Sequence, residues 1–344
     1  MGTFPIGGNM SKVTIIDVAK YAGVSKSTVS RVVRGEFNSV NPKTRDVVLK
    51  AIQHLGYEKN ELAGSLRTNE TKMIMLIIPD IVNPFWPEVA RGVQDALELK
   101  GYTMVLACSD WERNREQRLL GKARSNRFDG IIINPSAVSE SELKQCGVPA
   151  VVLGMHNEFE NTDMVGNDTI KGTNMILEHL YESGHRRIGF ICGISMSSTS
   201  SSRINSYLEF LKEKKIKIDK NLVFECHYGQ EEGKNAMKEL MKLENSPTAV
   251  FAGNDVLAIG AMQAAKELGI DIPGEVSLVG MDDIYPASVT SPTLTTVAKE
   301  KYKVGWHSAN FILERIQKKE NHIPRKMIFP PVLIPRESTD KPLK

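Results

Sequence analysis

The stretch Val24-Ser25-Lys26-Ser27-Thr28-Val29-Ser30-Arg31-Val32-Val33 decides how the rest of the chain is read. Ser25 is a good N-cap, because its hydroxyl can accept a hydrogen bond from the backbone N–H of Ser27 or Thr28. Val29, Val32 and Val33 then fall at helical spacing and form one apolar stripe that can face a core. The opposite stripe shows Lys26, Ser27, Ser30 and Arg31, which are positive or hydroxyl-bearing and free of carboxylates. Upstream, Ile16 to Ala22 reads as a first short helix, and Gly23 permits a sharp turn between the two. A helix, a tight turn and a capped helix with a basic outer face make a helix-turn-helix, whose second helix enters the major groove of DNA. On this reading Lys26, Ser27 and Arg31 reach base edges. Thr14, Ser25, Thr28, Ser30, Asn38 and Thr44 contact phosphates and set the register.

Working outward, Arg34 to Val40 is expected to be a loop. Asn41 caps a third helix with Pro42 at its first position, where a missing N–H costs nothing. Val48, Ile52 and Leu55 form its apolar stripe, and Gly56 ends it. Three helices of this size make one small headpiece. Met1 to Asn9, which holds Gly2, Gly7 and Gly8 and leads to a second plausible start at Met10, is set aside from fold reasoning as a leader.

The run from Val13 to Val33 resembles the N-terminal headpiece of the lactose-repressor (LacI/GalR) family of bacterial transcription regulators, and scattered signatures continue to Arg336-Glu-Ser-Thr339. Asn60 to Arg67 could form about two turns of helix, too short to be stable alone and weakened by Gly64; on pattern alone it is equally a linker. The resemblance implies a hinge helix that orders on operator DNA, with Ala63 and Leu66 at the minor groove and Leu66 wedged between base steps. Gly64 departs from the residue types usual there and implies a more flexible hinge.

Length and composition agree with this division. At 344 residues the chain suits two or three domains, and 41% hydrophobic with 25% charged residues is ordinary for a protein with a sizeable buried core. The overall charge of +3 is unevenly spread: residues 10–72 hold eleven Lys and Arg against six Asp and Glu, so the remainder is slightly acidic. A nucleic-acid partner therefore fits the N-terminal segment only. Cys108, Cys146, Cys192 and Cys226 lie far apart without a CxxC pair, which points away from disulfides or zinc and toward a reducing cytoplasm. No apolar run approaches the ~18 residues of a membrane span, and no secretion signal is present, so no membrane association is expected.

From Lys72 the period changes. Met73-Ile-Met-Leu-Ile-Ile78 is a continuous apolar run ending in Pro79-Asp80, as expected for a strand buried on both faces of a parallel sheet. Similar runs recur at 102–107, 130–134, 150–153, 187–192, 249–253 and 276–280. Amphipathic helical patterns lie between most of them, at 87–100, 114–126, 171–183 and 255–268. Alternation of strand and helix over this length means α/β with right-handed crossovers. The resemblance implies two doubly wound subdomains built like type I periplasmic sugar-binding proteins, with chain crossings near Asn167–Thr169, near Pro292–Thr296 and after a long helix at 299–319. The expected organisation is an all-α headpiece at 10–59, a hinge at 60–71 and an effector-binding and dimerisation domain at 72–344. Its N-subdomain takes 72–168 and 296–326, its C-subdomain 169–295 and 327–344.

In open α/β sheets ligands bind beyond the carboxyl ends of the strands, so the residues after each run are candidates. These include Asn83 to Trp86, Trp111, Asn134, His156, Asn167-Asp168, Arg203, Asn254-Asp255 and Asp282-Asp283. Carboxylates, Arg and Asn amides can bind vicinal hydroxyls in pairs, while an aromatic ring packs on a sugar's apolar face. Each has a bland alternative: Asp255 as a helix cap, Asn83-Pro84 and Asp282-Asp283 as turn residues, Trp86 as helix packing. Trp306 reads as core, and His179 and His185 as surface or helix-end residues. The resemblance singles out Asp168, Arg203, Asn254 and Asp282 as effector contacts, with Phe85, Trp86 and Trp111 available as an apolar wall.

Enzyme readings find no support. There is no GxGxxG after a strand, no P-loop and no HExxH, and Gly193-Ile-Ser-Met-Ser197 lacks the closing Gly of a nucleophile elbow. No catalytic residue, metal or cofactor is expected. The expected function is a ligand-responsive, sequence-specific regulator, a repressor of carbohydrate-utilisation genes. Its expected partners are double-stranded operator DNA, a sugar or sugar-derived effector and a second copy of itself. Alternatives are a global regulator answering to a protein partner and, more distantly, a sugar-binding module without a regulatory role.

Overall fold

The computed structural model describes residues 13–58, 70–193, 198–317 and 323–343, and divides the chain into two units, Met1–Thr71 and Lys72–Lys344. The expected hinge contacts Ala63 and Leu66 lie outside the described residues.

The first unit contains α1 (Ile15–Ala22), α2 (Lys26–Val33) and α3 (Pro42–Leu55). Local chemistry sets nearly every boundary. Thr14 caps α1 in a reciprocal box with Asp17, whose carboxylate accepts the Thr14 N–H at 2.9 Å. Gly23 closes α1 at φ +64°, a left-handed conformation that a side chain would resist. The Ser25 hydroxyl accepts the Thr28 N–H at 3.1 Å and starts α2. Asn41, Pro42 and Gly56 begin and end α3 as the sequence leads one to expect. The expected loop between α2 and α3 differs in one respect, a 3-10 turn at Phe37–Ser39. Val18, Ala19, Val29, Val32, Val48 and Ala51 form the core, with Val33, Ile52 and Leu55 partly buried around it.

The second unit has two parallel sheets. The first contains β1 (Met73–Ile78), β2 (Thr103–Cys108), β3 (Gly130–Ile133), β4 (Ala150–Leu153), β5 (Asp163–Asn167) and β11 (Lys326–Phe329), in the order β11-β5-β4-β3-β1-β2. Its helices are α4 (Phe85–Glu98), α5 (Arg113–Ser125), α6 (Glu140–Cys146) and α11 (Lys301–Gln317). The second contains β6 (Ile188–Gly193), β7 (Val223–Cys226), β8 (Ala249–Ala252) and β9 (Ser277–Val279), in the order β7-β6-β8-β9. It carries α7 (Thr169–Glu182), α8 (Ser198–Glu213), α9 (Gln230–Met241) and α10 (Asp255–Leu268). Between the lobes, β10 (Thr296–Ala298) pairs antiparallel with β12 (Val332–Ile334). This is the expected pair of α/β layers, with the central strands β1, β3, β4, β6 and β8 buried almost throughout. Among the described residues no helix is long and apolar enough to cross a membrane.

Several details correct the sequence reading. Residues 327–329 were expected in the C-subdomain, but β11 pairs with β5 from Lys326 opposite Met164 to Phe329 opposite Asn167, so the chain returns only after that strand. β5, β7, α6, α8 and α9 were not read from pattern. β5 contains Gly166 and ends in Asn167, and β7 carries an exposed Glu225, so neither is an apolar run. His185 is buried rather than superficial. Its Nδ1 is 2.9 Å from the Thr248 hydroxyl and its Nε2 2.9 Å from the Asp340 carbonyl, and burial pushes its pKa down.

Two helix pairs bring the backbone unusually close. A side chain on Gly92 of α4 would meet the Tyr302 carbonyl of α11, and one on Gly305 of α11 would meet the Val89 carbonyl of α4. In the second lobe Gly233 of α9 stands against Leu257 of α10, and Gly260 of α10 against Gln230 of α9. Asn167 ties two crossings together. Its Oδ1 accepts the Glu300 N–H at 2.9 Å, and its Nδ2 donates to the Glu300 carbonyl at 3.4 Å.

Candidate functional site

In the first unit, α2 buries Val29 and Val32 and leaves Lys26, Ser27 and Arg31 exposed. Ser30 and Thr28 are half-buried on its flanks. The Ser25 hydroxyl is 2.7 Å from that of Ser27 and 2.8 Å from that of Thr28, so the start of the helix presents a linked hydroxyl cluster. Thr14, Ser25 and Thr44 lie at the N-terminal ends of three different helices, where free N–H groups and the helix dipole favour an anion such as phosphate. Asn38 is exposed on the 3-10 turn. The exposed face of α2 carries no acid.

In the second unit, the loops at the carboxyl ends of both sheets enclose a crevice with about 120 Å³ of solvent-accessible space. From the first lobe come Asn83, Phe85 and Trp86 after β1, Trp111 after β2, Asn134 after β3 and His156 after β4. The second lobe contributes Arg203 from α8, Tyr228 after β7, Asn254 after β8 and Asp282 after β9. Lys299, on the crossing that follows β10, completes the wall.

Each polar group is held by a second partner. Asn254 caps α10, its Oδ1 accepting the Leu257 N–H at 2.8 Å. Arg203 is buried, and its Nη1 donates to the Gly253 carbonyl at 3.0 Å, while its Nε–H has no acceptor. Its guanidinium lies 5.7 Å from the Tyr228 ring centre. Asp282 adopts φ +129°, a strained conformation for a residue with a side chain. It is fixed there by Lys299 Nζ at 2.9 Å on its carboxylate, by Lys301 Nζ at 3.1 Å on its carbonyl, and by its own N–H donating to Val297. Burial pushes the Lys299 ammonium down from its ordinary range, opposed by the Asp282 charge. Behind the wall Asp255 is fully buried, accepting the Thr296 hydroxyl at 2.6 Å and the Ile284 N–H at 2.9 Å. Burial first, then the Asp282 charge, raise its pKa to about 7.

Two expectations change. Asp168 was expected among the effector contacts, but it does not line the crevice. Its carboxylate accepts the Lys171 N–H at 2.9 Å as the N-cap of α7, while its neighbours Asn167 and Thr169 face the opening. Asp255 is not the cap of α10, since Asn254 is, and instead holds the crossing strand. The sequence reading missed Lys299 and Tyr228. Tyr228 follows a strand with no apolar signature, and Lys299 lies in a crossing that no motif marks.

Residues 14–60 match the model described as bacterial regulatory proteins, lacI family, and residues 177–339 match a periplasmic binding protein-like domain. The chain is 32% identical over 331 residues to the HTH-type transcriptional repressor PurR of Haemophilus influenzae (strain PittEE), covering 94% of this chain and 98% of that one. The chain belongs to the LacI family. Among solved structures, the lac repressor dimer bound to operator and the anti-inducer ONPF superposes with a TM-score of 0.85 at 25% identity, covering 96% of this chain and 100% of that one. The complex of the transcriptional regulator CelR with cellobiose gives 0.71 at 30% identity, covering 95% and 99%. As a LacI-family member the chain is a DNA-binding transcription regulator with an effector domain.

Proposed function

We infer that this LacI-family regulator is a repressor acting as a cytoplasmic homodimer on a pseudo-palindromic operator, with its DNA affinity set by a small carbohydrate-like ligand in the crevice. Lys26, Ser27 and Arg31 read bases in each half-site. Thr14, Ser25, Thr28, Ser30, Asn38 and Thr44 hold phosphates. The relatives that bind operator and cellobiose support both halves of the reading.

The observation that carries it is the composition of the crevice. Arg203, Asn254 and Asp282 from one lobe face Asn83, Asn134, Phe85 and Trp111 from the other, the mixture of hydrogen-bonding groups and ring faces that suits a hydroxyl-rich ligand. A ligand touching both lobes favours one interlobe angle, and only such differential binding can shift the regulator between states. Moving a population from 1:99 to 99:1 takes about 5.5 kcal/mol of preference. Full-length protein titrated on a selected operator, with and without a panel of sugars and sugar derivatives, tests the reading. One compound should change operator affinity, and an unchanged affinity across the panel favours control by a protein partner.

A further inference from the structure

The crevice carries more positive charge than a neutral sugar needs. Its lining holds two basic side chains, Arg203 and Lys299, and one carboxylate, Asp282. That carboxylate is committed to Lys299, with both side chains 8% exposed and the Nζ to Oδ1 distance 2.9 Å. Arg203 has no carboxylate of its own: the Asp282 charge acts on it from beyond salt-bridge distance, and its side-chain partner is the Tyr228 hydroxyl. Among the described residues no carboxylate makes a salt bridge to it, and its buried Nε–H has no acceptor. The nearby acid Asp255 does not line the crevice, accepts from Thr296 and Ile284, and is driven toward its neutral form by burial. Asp283 is engaged with Arg336 at 2.6 Å, and Lys301 donates to the Asp282 and Asp283 carbonyls and lies 3.7 Å from Glu88. A buried guanidinium with an open donor and no carboxylate paired to it is costly unless a ligand supplies the acceptor and the charge.

We propose that the effector is an anionic carbohydrate, a sugar acid or sugar phosphate, whose negative group is received by the Arg203 Nε–H and balances the charge of the Arg203–Lys299 pair. The proposal rests on the carbohydrate reading above and narrows it. The hydroxyls of such a ligand meet Asn254, Asn83 and Asn134, and its apolar face meets Phe85 or Trp111. Lys299 is the specificity-determining residue. It engages the Asp282 carboxylate at 2.9 Å, so the Arg203 Nε–H keeps an open position for the incoming anion.

The test is calorimetry on the full chain with D-gluconate, D-glucuronate, D-galacturonate and D-glucose 6-phosphate against neutral D-glucose, D-galactose and D-ribose. At least one anion should bind roughly tenfold or more tighter than its neutral parent, because a charge-assisted hydrogen bond replaces a neutral one, and the preference should shrink as salt rises. Preference for the carboxylates or for the phosphate identifies which anion is received. The readout in variants is the ratio of anion to neutral affinity, which a general loss of packing does not move. Lys299→Gln and Arg203→Gln should collapse the ratio, and Lys299→Arg should restore it. A neutral sugar bound as tightly as its acid overturns the proposal and leaves the carbohydrate reading standing. Binding of no member of either class overturns both.

Discussion

Trp111 and Tyr228 stack across the mouth of the crevice, with ring centres 4.9 Å apart and planes inclined by 24°. Trp111 follows β2 of the first sheet and Tyr228 follows β7 of the second, so one contact joins the two lobes at the crevice mouth. Asp110 and Trp111 both hold left-handed backbone, at φ +52° and +60°, and Asp110 pairs with Arg115 of α5. Two consecutive strained residues persist only where their surroundings over-determine them. Here the strain aims an indole at the partner lobe.

Trp111→Ala removes that latch. Stacked aromatic pairs contribute about 0.5–1.5 kcal/mol beyond the area they bury, so crevice ligands should bind roughly twofold to tenfold more weakly. Calorimetry with the ligand that changes operator affinity checks this. Undiminished affinity would mean that the stack has no part in closure.

Arg31 is exposed on the last turn of α2 with no acid beside it on that face. A bidentate contact from Arg31 to guanine is worth about 1–3 kcal/mol of discrimination, so Arg31→Ala should relax base preference at one position of each half-site. Thr14→Ala should instead weaken all sequences alike. Selection from random DNA separates the outcomes, and an Arg31→Ala variant with unaltered preference would remove Arg31 from the base-reading set.

What could be read from the sequence was what neighbours along the chain determine. Thr14, Ser25, Asn41 and Gly56 each set a helix end within four residues of themselves, and β1 announces its burial in six consecutive apolar side chains. β5 is hidden because its Gly166 lies against the Gly154 backbone, a contact made across strands. Asp168 misled because a carboxylate after a strand can serve a ligand or a helix end equally well, and only the Lys171 N–H decides between them. Lys299 and Tyr228 acquire their roles from residues 17 or more positions away, Asp282 for one and Trp111 for the other, so no local pattern marks them.

The glycines of α4 and α11 give a stability test with two signs. Gly92→Ala and Gly305→Ala each place a methyl against a backbone carbonyl of the facing helix and should cost about 1–3 kcal/mol. Gly121 of α5 is exposed with open space where its side chain would go, so Gly121→Ala should stabilise by about 0.5–1 kcal/mol. Denaturant midpoints at constant slope report both.

Asp255 predicts a pH dependence. Its folded pKa of about 7 lies above the ordinary value of 3.8, so the folded state holds a proton that the unfolded state releases. The contribution of Asp255 to stability therefore falls as pH rises from about 4 to about 7, and is then constant. Asp255→Asn removes this dependence and keeps an acceptor for the Thr296 hydroxyl or the Ile284 N–H. Thermal unfolding at pH 5 and pH 8 should show the variant gaining on the parent at the higher pH. A parallel pair of curves would assign the raised pKa no role.

The most direct measurement is operator binding by the parent and Arg203→Gln, by fluorescence anisotropy on a selected operator, across the panel of acidic and neutral sugars. Both should bind the operator with similar affinity in the absence of ligand, because Arg203 belongs to the second unit and the residues proposed to read DNA to the first. One anionic carbohydrate should shift the parent's affinity by roughly tenfold or more, the equivalent of about 1.4 kcal/mol, and leave Arg203→Gln unmoved. An equal shift in both proteins would contradict control of DNA binding through this crevice.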